Sequence, residues 1–134
     1  FMKAGRDGVF FLEPYYPRRI PVLFVHGIRG TPRSFAGIID SLDRTRFQAW
    51  VLNYPSGLDL RALGDGLVGL LAELRHRHGF GTLHIVAHSM GGLLVREYLA
   101  ECARAGGCDY VSQVVTISTP THSSVLVGSM SKDG

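Results

Sequence analysis

The chain has 134 residues, 46% hydrophobic and 19% charged, with a formal net charge of +3. This length allows one buried core, and the balance is ordinary for a globular protein. No apolar run approaches membrane-spanning length, and no stretch has the pattern of a signal peptide.

Most of the arginines (Arg18, Arg19, Arg29, Arg33, Arg44, Arg46, Arg61, Arg75, Arg77) are scattered over loops and helix ends, with no block of like charge. That is a solvated basic surface rather than a nucleic-acid footprint, although weak, transient attraction to an anionic lipid surface is compatible with it. The sequence begins at Phe1 rather than at an initiator methionine, which leaves room for a preceding segment. The compartment, cytoplasmic or exported, and the oligomeric state stay open.

Residues 1–20 contain Gly8-Val9-Phe10-Phe11-Leu12, a short apolar run that reads as an edge strand, followed by a loop with Pro14 and Pro17. Pro21 to Val25 is continuously apolar, as in a strand covered on both faces. It ends in the glycine-punctuated loop His26-Gly27-Ile28-Arg29-Gly30. Thr31-Pro32 has the form of a helix cap followed by proline at the first helical position. Phe35, Ile38, Ile39 and Leu42 then make one helical stripe.

Phe47 to Leu52 is the next strand, closed by Asn53-Tyr54-Pro55-Ser56-Gly57. Asp59 caps a second helix with the stripe Leu60, Leu63, Leu67, Leu70, Leu71 and Leu74, and Gly79 stops it. Gly64, Gly66 and Gly69 weaken that helix; close approach to the sheet is the expected reason for them. Thr82 to Ala87 is a strand, Leu93, Leu94, Tyr98, Leu99 and Cys102 form the inner face of a helix, and Val111 to Ile117 is another strand. The alternation predicts an α/β fold, a mostly parallel sheet with helices on both faces. Cys102 and Cys108 either form a disulfide or leave Cys102 as a buried free thiol on its helix.

The chemistry concentrates at Ala87-His88-Ser89-Met90-Gly91-Gly92, between a strand and an amphipathic helix. This is the G-x-S-x-G nucleophile elbow with alanine at its first position. Ser89 reads as a nucleophile at a helix N-terminus, where free amides favour developing negative charge; the plainer reading is a helix N-cap. His76 and His78, two residues apart near a helix end, point in different directions and do not read as a metal pair. No cysteine–histidine spacing suits zinc and no phosphate-cradling loop is present, so neither a metal nor a cofactor is expected.

The tail departs from this rhythm. Val125-Leu126-Val127-Gly128 follows the previous strand too closely for a parallel crossover. Either it turns back as a hairpin or leaves the sheet, or a connecting segment is absent. The second alternative is favoured, and it would leave Val114–Ile117 close to a poorly covered sheet edge, prone to self-association.

Residues 20–120 resemble the N-terminal part of an α/β-hydrolase of the bacterial lipase and esterase branch. The resemblance rests on Pro21 to Gly30, on the Ala87–Gly92 elbow and on Ile117-Ser118-Thr119-Pro120. It implies that Ser89 attacks an ester or lipid carbonyl, that the amides of Met90 and Ile28 form the oxyanion hole, and that His26, Gly27 and His88 support the surrounding loops. It also implies an acid after a later strand and a histidine after the last one. Residues 121–134 resemble the acid strand and its Asp-Gly loop, with Asp133 as the acid or as an ordinary turn aspartate. They would then follow a missing lid, making 1–134 a single partial domain. His122 follows the wrong strand to be the base, and no residue occupies the histidine's place. An acyltransferase, or a non-catalytic module binding a hydrophobic ligand or partner, fits the same elements.

Overall fold

The structure, a computed structural model, describes residues 8–27, 35–54, 59–118 and 124–129. Several expectations fall outside them: the cap at Thr31 and Pro32, the amide of Ile28, the turn at Pro120, and the positions of His122 and Asp133.

In chain order the elements are β1 (Gly8–Phe11), β2 (Ile20–Val25), α1 (Ala36–Asp40), β3 (Phe47–Asn53), α2 (Leu60–His78), β4 (Leu83–His88), α3 (Gly91–Arg104), β5 (Val111–Ser118) and β6 (Ser124–Ser129). The strands form one sheet in the order β1-β3-β2-β4-β5-β6. β3, β2, β4 and β5 are parallel, while β1 and β6 run antiparallel along the two edges. The predicted α/β architecture is therefore the observed one.

Alternation within each central strand sends successive side chains to opposite faces. Leu23, Val25, Trp50, Leu52, Ile85 and Ala87 pack with Leu67, Leu71 and Leu74 of α2 and Leu94, Val95 and Tyr98 of α3. Val22, Phe24, Ala49 and Val51 pack on the other face with Phe35 and Ile39. Because both faces are covered, these strands read as unbroken apolar runs. Burial of each large aliphatic side chain contributes about 1.5–3 kcal/mol.

The helices depart from expectation in three places. The described α1 is a single turn from Ala36 to Asp40 with no side-chain cap; Phe35 and Ile39 are buried, but Ile38 turns out to solvent. In α2, Asp59 accepts a hydrogen bond from the Arg61 amide, and Gly79 ends the helix at φ 74°. The glycines of α2 have a different role from the one expected. A Cβ on Gly64 would lie 2.9 Å from the backbone and Cβ of Glu97, so this glycine admits α3 rather than the sheet. Gly66 and Gly69 have nothing within 4 Å of such a Cβ.

Cys102 and Cys108 are joined in a disulfide. It links the last turn of α3 to the loop that enters β5, across Gly106 and Gly107, both with positive φ. Of the two readings open for the tail, the structure takes the hairpin. β6 pairs antiparallel with β5 from Gln113↔Ser129 to Ser118↔Ser124, because the connection is too short for anything but a reversal. Residues 124–129 are thus not a parallel acid strand, and β5 is not an open edge.

Candidate active site

The chain leaves β2 through α1 to β3 on one side, then crosses back through α2 to β4 on the other side of β2. The carboxyl ends of β2 and β4 therefore form the switch point where crevices open in such sheets. Two short segments meet there: His26-Gly27 after β2, and Ser89-Met90 after β4.

Ser89 has φ 56° and is, among the described residues, the one non-glycine residue with positive φ. A left-handed serine stores strain that the surrounding fold must hold. Its amide donates to the Ile117 carbonyl of β5 at 2.8 Å, and its carbonyl accepts from the Gly92 amide at 2.9 Å. The residue is exposed. It stands immediately before α3, so the positive end of that helix dipole faces it.

The glycines on either side are fixed by contact rather than by torsion. A Cβ at Gly91 would come within 2.5 Å of the Val25 oxygen and 2.6 Å of the His26 oxygen. A Cβ at Gly27 would come within 3.2 Å of the His88 oxygen and the Ser89 Cβ, and 3.5 Å from the Met90 nitrogen. Backbone is thus laid directly on backbone, with Gly27 over the serine and over the amide that follows it. Ala87 is fully buried, so the alanine at the first elbow position sits where its methyl group fits.

His26 is buried, and its Nδ1 lies 2.6 Å from the Gly27 carbonyl oxygen. A carbonyl only accepts, so Nδ1 carries the proton in this contact. Its ring is stacked on Tyr54 with centroids 4.6 Å apart. The Tyr54 hydroxyl donates to the His26 carbonyl at 2.7 Å, and burial raises the pKa of this phenol above its ordinary value. The sequence reading assigned Tyr54 only to the end of a strand. The register was the available signal: Val25 pairs with Leu52, so a tyrosine two residues further on lies beside the His-Gly loop.

The other described histidines are engaged elsewhere. His88 meets Phe35 edge-on at 6.3 Å, beside the elbow as expected. His84 meets Phe47 at 6.0 Å, and burial lowers its pKa. His78 is stacked on Tyr15, and His76 lines a cleft with Arg75 and Tyr110 at the opposite end of the sheet. The structure thus brings Ser89, Met90, His26, Gly27 and His88 together.

The family model for the α/β-hydrolase fold matches residues 20–130. The chain is 28% identical to a triacylglycerol lipase of Burkholderia plantarii, over 90% of this chain and 35% of that protein. It is 29% identical to a triacylglycerol lipase of Pseudarthrobacter phenanthrenivorans, over 84% of this chain and 36% of that one. It therefore spans about a third of the length of these relatives. Among solved structures, a Bacillus licheniformis lipase in mature form superposes with a TM-score of 0.64 at 22% identity, over 84% of this chain and 47% of that chain. A Vigna radiata epoxide hydrolase variant superposes at 0.57 and 22% identity, over 77% and 33%. At such identities the superpositions speak for the fold alone, and the elbow residue must speak for the chemistry. With the family model matching most of its length and lipases among its relatives, the chain belongs to the α/β-hydrolase fold family and is lipase- and esterase-like.

Proposed function

We propose that this chain carries the nucleophile part of a serine hydrolase of carboxylic esters that works through an acyl-serine intermediate. The observation that supports this most is the strained, exposed Ser89 at the carboxyl end of β4, with Gly27 laid over it. An N-cap serine needs neither a left-handed backbone nor a glycine from another loop above it.

In this reading the Ser89 hydroxyl oxygen attacks the ester carbonyl carbon and its proton passes to a histidine base. The carbonyl π electrons move onto oxygen, where the amides of Met90 and Ile28 hold the charge. The tetrahedral intermediate collapses, the alcohol leaves with the proton, and water cleaves the acyl-serine by the same route. A carboxylate orients that histidine. The lipases among the relatives put acyl esters of lipids first among substrates. No cofactor takes part.

The test is the intact mass of the protein before and after a fluorophosphonate that labels activated serines. One adduct, mapped to Ser89 and carried by a protein well above the 14.6 kDa of this chain, is expected. Ser89→Ala should abolish the adduct and lower ester hydrolysis roughly 10⁴-fold or more. A protein that hydrolyses no ester and takes no adduct is a binding module, and the proposal fails.

A further inference from the structure

We propose that Tyr54 is the positioning residue of the oxyanion loop, acting through His26; this rests on the serine-hydrolase reading above. Oxyanion donors stabilise a transition state only if they are aimed before the reaction begins. Three contacts converge on the short His26-Gly27 segment. The Tyr54 hydroxyl holds the His26 carbonyl at 2.7 Å, the Tyr54 ring backs the His26 imidazole at 4.6 Å, and that imidazole holds the Gly27 carbonyl at 2.6 Å.

Gly27 lies over Ser89 and over the Met90 amide, a proposed donor. The imidazole that grips the Gly27 carbonyl therefore holds the residue packed on that donor, and Tyr54 backs the imidazole. The His26 carbonyl would lie 2.6 Å from a Cβ on Gly91, so it is trapped between the phenol and the first turn of α3, which Met90 immediately precedes. Tyr54 thus holds, through one carbonyl, the loop packed on the Met90 donor. Because burial raises its pKa, the phenol stays a donor through neutral and mildly alkaline pH.

The phenol also explains why a tyrosine serves at the end of β3. Phenylalanine would preserve the stack and leave the His26 carbonyl with one partner fewer. The backbone would then be free to rotate by small amounts, enough to spoil a donor's aim without unfolding anything.

The test compares wild type with Tyr54→Phe in ester hydrolysis and in the rate of fluorophosphonate labelling. The variant should fold with an unchanged melting midpoint. It should show kcat and labelling rate each lowered about tenfold, a fraction of the loss for a donor removed outright, with KM within about twofold. If kcat and labelling stay within about twofold of wild type, or if they fall only together with the melting midpoint, Tyr54 has no positioning role. If wild type itself takes no adduct on Ser89, the hydrolase reading falls first and takes this proposal with it. Should the Phe variant fail to fold, a fluorinated tyrosine at position 54, whose phenol ionises at lower pH, carries the test. Its kcat should drop at that lower pH while KM holds, and an unmoved alkaline limb would overturn the proposal.

Discussion

The two ends of the sheet are built on opposite plans. At the carboxyl end, around Ser89, missing side chains set position: Gly91 and Gly27 let two stretches of backbone touch. At the amino end, position is set by side chains that reach across. Buried Gln48 donates to the carbonyls of Tyr16 and Arg19 and accepts from the Tyr16 amide. Glu13 pairs with Arg19 and Arg44, the buried hydroxyls of Tyr98 and Tyr110 lie 3.2 Å apart, and the disulfide closes the loop before β5. The carboxyl end has side-chain braces too, but Tyr54 and His26 grip carbonyls of the loop itself, while the glycines make the contact between the loop and the elbow.

The sharpest way to break this comparison is Gly91→Ala. Its methyl group meets the Val25 carbonyl oxygen at the end of β2 and the His26 carbonyl oxygen held by Tyr54, so the strain has nowhere to go. A loss on the order of 3 kcal/mol or more, read by chemical denaturation, is expected. Gln48→Leu tests the other end. It removes three part-buried hydrogen bonds to the Tyr16 amide and the Tyr16 and Arg19 carbonyls, which should cost about 2 kcal/mol while fluorophosphonate labelling of the folded fraction is unchanged. Smallest, and of opposite sign, is Gly69→Ala in α2, where the added methyl meets nothing. It should raise stability by about 0.5–1 kcal/mol; a loss there would mean that the glycine has a role the contacts do not display.

What was legible in the sequence is what depends on near neighbours in the chain. The central strands, the caps at Asp59 and Gly79, and the elbow all announce themselves within a few residues, because periodicity, capping and turn chemistry are local. What escaped depends on partners far along the chain. Gly64 looked like Gly66 and Gly69, and only the crossing of α2 with α3 separates it from them. Gln48 passed as one polar residue in an apolar strand, and its value lies in a loop residues away. The disulfide needed the distance between a helix end and a returning loop. Tyr54 needed the knowledge that β3 lies beside β2. The pairing of β6 turns on the shortness of the connection after β5, for which the sequence left both a hairpin and an absent segment open.

The hydrogen bond from the Ser89 amide to the Ile117 carbonyl bears on when the elbow takes its shape. The left-handed turn leans on a glycine made long before it and on a strand made well after it. During synthesis, then, the serine emerges as an ordinary hydroxyl on a relaxed backbone. It acquires its strained posture only after β5 has left the ribosome and found its register beside β4. Contacts so distant in sequence form late in folding. A nascent or misfolded chain would present this serine without its left-handed backbone.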